Sequence, residues 1–227
     1  MLAQLSALGI RPKKGLGQNF LVDPAHRGRI VAAAGLTPDD IVLEVGPGPG
    51  VLTELIAQQA GHVVAVELDD RLIPFLRERF ADRPHVEIVH GDILKLDVGA
   101  LMLEAGSWKL ATGNWQLVTG SWKLEAGDGR LEAGGWKPEA HSRKLADQLP
   151  VSSFQFPVSS FQYPASSFQY KVIANLPYYI TSAAIRHLLE SVPSPALLVL
   201  TVQREVAERM VASPPQMSLL ALGVQFY

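Results

Sequence analysis

The chain contains no cysteine, and this absence excludes several kinds of chemistry. Disulfide bonds, thiolate zinc sites and iron–sulfur radical centres all need cysteine thiols. Covalent catalysis by addition of a thiol to the substrate is excluded for the same reason. The chemistry that remains open for an enzyme of this composition is direct transfer of a group from an electrophilic donor.

Long apolar runs and a charge imbalance are also missing. No segment is long and apolar enough to predict a membrane span, and Met1–Ile10 has neither the basic start nor the cleavage pattern of a signal peptide, so we expect a cytoplasmic protein. A net charge of −2 provides no general attraction to phosphate. Any affinity for nucleic acid must therefore be local, for example at Arg11, Lys13 and Lys14. With 227 residues, 48% of them apolar, the chain can bury one core of ordinary size.

A glycine-rich turn follows the first apolar strand pattern. The apolar segment Ile41–Val45 runs into Gly46-Pro47-Gly48-Pro49-Gly50 and then into a helical pattern. Glycines let a backbone approach a ligand closely, which favours a phosphate or carboxylate site at this turn. Val51 stands where the dinucleotide fingerprint has its third glycine, so a nicotinamide site fits poorly. The acid Glu44, two residues before the first glycine, is more typical of a methyl-donor site.

Two later strand patterns also end in a carboxylate. Glu67 follows His62–Val66, about twenty residues after the glycine turn, where a carboxylate can accept from both hydroxyls of a ribose. Asp92 follows Val86–His90 and is placed to accept from the amine of a cofactor adenine. Each acid alone is equally explained as a solvated residue that caps a turn. Together, polar groups at three strand ends indicate the ligand crevice of an open α/β sheet.

The most informative segment is Asn175-Leu176-Pro177-Tyr178. The Asn175 amide oxygen and the Leu176 carbonyl are suited to accept from the two N–H groups of an exocyclic adenine amine, which draws its nitrogen towards tetrahedral geometry. Pro177 favours a rigid turn, and Tyr178 offers a face on which an extruded base can stack. These residues are the candidate catalytic set. The plain alternative is a strand end followed by a turn and a buried aromatic residue.

Taken in order along the chain, these motifs resemble the ribosomal RNA adenine dimethyltransferases of the KsgA type. The resemblance covers residues ~10–100 and ~170–227 and includes Gln18-Asn19-Phe20-Leu21 and Gln203–Arg209. It implies a Rossmann-like fold that binds S-adenosylmethionine. It also implies four methyl transfers to two adjacent adenosines of small-subunit ribosomal RNA, by a monomer that acts on the subunit precursor during ribosome biogenesis. The same resemblance implies no metal and a donor site formed by Gln18, Asn19, Leu21, Gly46, Gly48, Glu67, Leu68, Asp92, Ile93 and Asn175.

Two other functions remain open. A large-subunit ribosomal RNA adenine methyltransferase, of the type that confers antibiotic resistance, shares the motifs. A non-catalytic RNA-binding or assembly factor that keeps the donor pocket is the alternative from a different class. It gains some weight because the resemblance implies a small helical C-terminal domain, whereas this sequence ends at Tyr227 in an apolar run expected to be a core strand.

The middle of the chain is repetitive. A heptad that begins at Leu103 recurs at Leu110 and three times more, and a second heptad begins at Val151. The apolar spacing of the first heptad fits neither a coiled coil nor a strand face, and a glycine lies in each of its units. We therefore predict that the repetitive segment is a flexible low-complexity insert. The sharper alternative is that its tryptophans, interleaved with lysines, stack on single-stranded RNA. The expected division is 1–101 and 170–227 for the methyltransferase domain and 102–169 for the insert, which we expect to be dispensable for the fold.

Around the insert, strand and helix patterns alternate. This alternation predicts a doubly wound, mainly parallel α/β sheet with right-handed crossovers. The predicted strands are Ile41–Val45, Val63–Glu67, Val86–His90, Tyr170–Ala174 and Ala196–Val202, and the predicted helices are 24–34, Leu52–Ala60, Arg71–Phe80, Ser182–Glu190 and Arg204–Val211.

Overall fold

The computed structural model describes Leu21, residues 23–111 and residues 168–226, with the backbone alone at 107–111. The chain forms two units, one of Met1–Ala105 with Phe168–Tyr227 and the other of Gly106–Ser167. Nearly all of the second unit, which holds most of the heptad repeats, lies outside the described residues. The predicted flexible insert, its stacking tryptophans and the division into domains therefore stay predictions.

The first unit is built on a sheet of five parallel strands. They are β1 (Ile41–Val45), β2 (His62–Glu67), β3 (Val86–His90), β4 (Lys171–Asn175) and β5 (Leu197–Thr201). The order across the sheet is β3-β2-β1-β4-β5, which confirms the predicted doubly wound topology. The chain first winds outward from β1 to β3 and then returns to β4 on the other side of β1. The carboxyl ends of β1 and β4 therefore form the switch point at which open α/β sheets bind ligands.

Seven helices complete the described part of the chain. They are α1 (Pro24–Ala34), α2 (Val51–Ile56), α3 (Leu72–Arg79), α4 (Val98–Ala111), α5 (Thr181–Leu189), α6 (Arg204–Met210) and α7 (Leu219–Phe226). Successive residues of a strand point to opposite faces of the sheet. In β2, Val63 packs in the core beneath α1, α2 and α3, whereas Val64 packs in the core beneath α4 and α5. Both faces are covered, which explains why every residue of β1 and β2 is buried.

Lys171 fastens the start of β4 to the end of α1. Helix α1 is capped at its carboxyl end by Gly35, whose φ of 51° is left-handed. The Lys171 ammonium donates to the carbonyl oxygens of Ala34 and Gly35 at 3.1 and 3.0 Å and to Asp40 Oδ2 at 3.0 Å. Burial acts to raise the pKa of Asp40, but the hydrogen bonds from Lys171 and Thr37 outweigh it, so the pKa lies below its usual value. These bonds hold β4, which carries Asn175 at its other end, in register with β1.

Two sequence expectations are wrong in detail. Helix α4 runs through the first repeat as far as Ala111, although the heptad was expected to suit no regular structure. It forms because Val98, Met102 and Ala105, at helical spacing, are buried in the core. The second error concerns the expected last strand.

The C-terminal apolar run is a helix, α7, rather than a core strand. The Ser218 hydroxyl accepts a hydrogen bond from the Ala221 amide at 3.2 Å, which caps the first turn. Ala221 and Val224, three residues apart, face the core, while Leu219 and Leu222 are exposed. Buried positions three residues apart are helical spacing, and a strand would have buried alternate residues instead.

Among residues 23–111 and 168–226, no helix is both long enough and apolar enough to cross a membrane.

Candidate functional site

A cavity of about 350 Å³ opens at the carboxyl ends of the strands, beside the switch point between β1 and β4. This volume is within the range of small-molecule sites. All the predicted site residues in the described part of the chain line it. They are Leu21, Gly46, Gly48, Glu67, Leu68, Asp92, Ile93, Asn175, Leu176, Pro177 and Tyr178. Gln18 and Asn19 lie outside the described residues, so their placement stays a prediction.

The glycine turn after β1 is formed by left-handed backbone. Gly46, Gly48 and Gly50 have φ values of 69°, 57° and 75°. Gly50 is also confined by packing, because a Cβ there would lie 2.8 Å from Cε2 of the Phe80 ring. A side chain at Gly50 would be strained by its φ and would displace that ring.

The amides of these glycines bond within the protein. Gly46 N donates to the Val66 carbonyl, Gly50 N donates to the Pro47 carbonyl, and Gly48 N donates to Glu67 Oε2, all at 2.9 Å. These three amides are therefore engaged within the protein, and the phosphate or carboxylate site expected at this turn stays a prediction. The glycines give the turn its shape and let it lie close to the end of β2.

Glu67 lies at the end of β2 with both carboxylate oxygens held. Oε2 accepts from the Gly48 amide at 2.9 Å, and Oε1 accepts from the Asp69 amide at 2.8 Å. Burial raises the pKa of Glu67, the charge of Asp69 adds to the increase, and the two amides act against it. A carboxylate oxygen accepts more than one hydrogen bond, so Glu67 retains acceptor capacity towards the cavity that it lines.

Asp69 is buried two residues further on and is paired with Arg71. The Arg71 side chain donates through Nε to Asp69 Oδ1 at 2.9 Å and through Nη2 to Oδ2 at 2.5 Å. This two-pronged ion pair compensates the buried charge of Asp69. It also fixes the loop whose amide holds Glu67, so that Arg71 positions Glu67 through Asp69.

Asp92 and Ile93 follow β3 at the far side of the cavity. Asp92 Oδ1 accepts from the Leu94 amide at 3.1 Å, and Lys95 Nζ lies 3.5 Å from Oδ2. Asp92 thus caps its own turn and lines the cavity at the same time, while Ile93 is buried beneath it.

Glu44 is the most unusual polar group of the cavity lining. It is 1% exposed, and its Oε2 has no hydrogen-bond partner in the described structure. Burial raises its pKa to about 8; the side chain and backbone of Thr53 act against this increase, and the charge of Glu67 adds to it. Glu44 is therefore mostly protonated at neutral pH. In the described residues, no group of three or more histidine, aspartate or glutamate side chains is arranged to hold a metal.

The segment after β4 forms a fixed turn that leads into α5. The Pro177 carbonyl accepts from the Ile180 amide at 3.2 Å and from the Thr181 hydroxyl at 3.0 Å. Leu176 is buried beneath the turn, whereas Tyr178 is 53% exposed at the mouth of the cavity. The alternative interpretation of this segment, which places a buried aromatic residue after the strand end, is therefore wrong for Tyr178.

Sequence reasoning missed several lining residues. Glu44 was noted only as an acid near the glycines, and its burial follows from its inward position on a strand covered on both faces. Tyr179 adjoins the recognised motif and is also exposed at the mouth. Thr201 and Gln203 belong to the cavity because β5 adjoins β4, and this neighbourhood depends on strand order.

The solved structures that resemble this chain share its fold. A dimethyladenosine transferase from Plasmodium falciparum superposes with a TM-score of 0.57 at 22% identity over 92% of this chain and 53% of that one. The 23S rRNA methyltransferase ErmE superposes with a TM-score of 0.50 at 24% identity over 84% of this chain and 50% of that one.

Curated relatives carry a more specific name. Proteins named ribosomal RNA small subunit methyltransferase A are 37% identical in Dehalococcoides mccartyi strain 195 and 35% identical in Geobacter metallireducens, each over 96% of this chain. The matches cover 54% and 58% of those proteins, so the chain spans about half the length of the curated relatives it matches. The family described as ribosomal RNA adenine dimethylase matches residues 9–227. The chain belongs to this ribosomal RNA adenine dimethylase family.

Proposed function

We propose that this chain binds S-adenosylmethionine in the cavity and dimethylates the exocyclic amines of two adjacent adenosines in small-subunit ribosomal RNA. The observation that carries the proposal is the meeting of Glu67, Asp92 and Asn175, from three different strand ends, around one cavity. Membership of the adenine dimethylase family and the names of the curated relatives support the substrate. We further propose that it acts as a cytoplasmic monomer on the precursor of the small subunit.

The donor side of the cavity extends over β1, β2 and β3. Glu67 is suited to accept from the ribose hydroxyls, Asp92 from the adenine amine, and Leu68 and Ile93 to cover the flat adenine. The glycine turn leaves room for the methionine end. Glu44 offers a buried carboxyl oxygen without a hydrogen-bond partner in the described structure, which can accept from an N–H or O–H group of the ligand. S-adenosylmethionine supplies a methyl group made electrophilic by an adjacent sulfonium.

The acceptor side is the turn after β4. The Asn175 amide oxygen and the Leu176 carbonyl are proposed to accept from the two N–H groups of the adenine amine, which localises its lone pair on nitrogen. As the new N–C bond forms, the methyl–sulfur bond breaks, its electron pair stays on sulfur, and the amine releases one proton to water. A second transfer repeats the step on the monomethylated amine, whose remaining N–H still has an acceptor.

Transfer of isotopically labelled methyl groups to ribosomal particles tests this function. Purified chain and labelled S-adenosylmethionine are incubated with small-subunit and, separately, large-subunit particles that lack the modification. We expect label in the small-subunit RNA alone. Label in the large-subunit RNA alone would instead support the related resistance-type activity. Donor binding without label in either RNA would support the non-catalytic RNA-binding function.

A further inference from the structure

Two consecutive tyrosines are exposed at the mouth of the cavity. Tyr178 is 53% exposed and Tyr179 is 61% exposed, and both line the opening. Single exposed aromatic residues are ordinary on a protein surface. Two on one turn, next to a deeply buried Leu176, leave a large aromatic surface in water at the point where a substrate must enter.

The backbone beneath these rings is held in place. The Pro177 carbonyl accepts from the Ile180 amide and the Thr181 hydroxyl, and the Ala184 amide donates to the Ile180 carbonyl at 2.8 Å. A tyrosine ring has only two side-chain torsions, so ordering it on a fixed turn costs little conformational entropy. The turn is thus suited to present two flat surfaces rather than to fold over a ligand.

Strand order determines which ligand these rings meet. The proposed donor contacts lie at the carboxyl ends of β1, β2 and β3, and Asn175 is the last residue of β4. The acceptor RNA must therefore approach over β4 and β5, the side of the sheet that carries the two tyrosines. Under the proposed function, Tyr178 stacks on the extruded target base.

We propose that Tyr179 is a stacking platform for the nucleobase next to the target adenosine. This inference rests on the proposed function, because it assumes that the target base leaves the RNA stack. Extrusion removes the stacking partner of the neighbouring base, and a second aromatic face at the mouth replaces that partner. Side chains of consecutive residues diverge from the backbone, so the ring of Tyr179 serves a different base from the ring of Tyr178.

A comparison of RNA ligands with protein variants tests the platform. Three short oligoribonucleotides are used, one with two adjacent adenosines and two in which the 5′ or the 3′ neighbour of the target is abasic. Binding is measured by fluorescence anisotropy with S-adenosylhomocysteine present, so that no methyl transfer occurs. We expect wild type to bind one of the abasic ligands about five- to tenfold more weakly than the intact ligand, the lower end of stacking energies.

Protein variants identify the residue that produces the preference for the intact ligand over the abasic one. Tyr179→Leu keeps an apolar side chain but has no aromatic face, so it should bind the intact and abasic ligands equally. Tyr179→Phe should keep the wild-type preference. Because the ring is exposed, thermal unfolding and donor affinity should be unchanged in both variants, which excludes misfolding as the cause. Tyr178→Leu, the matched neighbour, should weaken binding of all the ligands and retain the preference.

A preference that persists in Tyr179→Leu, or equal binding of all ligands by wild type, would overturn the inference. The same measurements, combined with the methyl-transfer assay, distinguish failure of the platform from failure of the proposed function. If wild type transfers methyl groups to adenosine and Tyr179→Leu keeps the preference, the platform alone is wrong. If wild type shows the preference but methylates no RNA, the platform stands as an RNA-binding feature and the proposed function is wrong.

Discussion

The Gly48 amide donates to Glu67 Oε2 at 2.9 Å, which joins the glycine turn after β1 to the carboxylate at the end of β2. Because Glu67 Oε1 also accepts from Asp69, one side chain fixes two loops around the cavity. The Glu67 carboxylate thus shapes the donor side of the cavity, and we propose that it also holds the donor ribose.

The first prediction concerns Glu67→Ala. Loss of a carboxylate that accepts from the ribose should weaken S-adenosylmethionine binding by roughly 1.5–3 kcal/mol. Isothermal titration calorimetry measures the change. Asp39→Ala, a matched loss of an exposed acid outside the cavity lining, is the control and should bind the donor as wild type does. Undiminished affinity in Glu67→Ala would refute the ribose contact.

The second prediction separates chemistry from binding at Asn175. Asn175→Ala removes an acceptor that is used at the reacting amine, so turnover on bound RNA should fall by far more than donor or RNA affinity. Single-turnover kinetics with saturating RNA measure the chemical step, and calorimetry measures donor binding. Equal single-turnover rates for Asn175→Ala and wild type would reject the acceptor mechanism.

The third prediction uses the raised pKa of Glu44. Its folded pKa, about 8, exceeds the ordinary value of 4.5, so the folded state binds the proton more tightly than the unfolded state does. The stability that the folded protein gains from protonation of Glu44 is therefore fully present below about pH 4.5. It is lost as the pH rises through about 8. Relative to Glu44→Gln, which stays neutral, wild type should lose unfolding free energy across this window. Denaturant titrations at several pH values provide the measurement, and a constant difference between the two proteins would show that Glu44 does not titrate there.

The fourth prediction concerns the boundary of the repetitive segment. Deletion of residues 101–167 removes Met102 and Ala105, which are buried beneath the sheet, whereas deletion of 112–167 leaves all of α4. With the same Gly/Ser linker, the larger deletion should lower the free energy of unfolding by about 2–5 kcal/mol relative to the smaller one. Chemical denaturation of the two variants tests this difference. Equal stability would mean that residues 101–111 of α4 contribute nothing to the core.

The sequence predicted the elements whose signals are local. Strands β1 to β5 are short, mainly apolar runs, and their predicted bounds agree with the structure to within about one residue. Helix α2 is shorter than the predicted helix Leu52–Ala60. It ends at Ile56, where the chain enters a turn, although buried alanines continue the apolar pattern at Ala57 and Ala60. The start of α4 was not predicted, because the repeat that begins at Leu103 was expected to form no regular structure. The residues that α4 buries are spaced by the helical turn.

The sequence predicted those residues of the candidate site that lie at the ends of strands. Asn175 and Glu67 line the same cavity because parallel strands place their carboxyl ends at one edge of the sheet. The burial of Glu44 depends on two layers of helices, and the place of Gln203 depends on the pairing of β4 with β5. These are properties of the assembled sheet, and no local pattern contains them.

Methyl transfer to adenine amines in this cavity is the activity that we propose for the chain. The most direct measurement is mass spectrometry of the nucleosides of small-subunit RNA that has been incubated with the purified chain and S-adenosylmethionine. We expect N6-dimethyladenosine at two adjacent positions with wild type and almost none with Asn175→Ala. Absence of the dimethylated nucleoside with wild type, or equal amounts with both proteins, would contradict the proposed function.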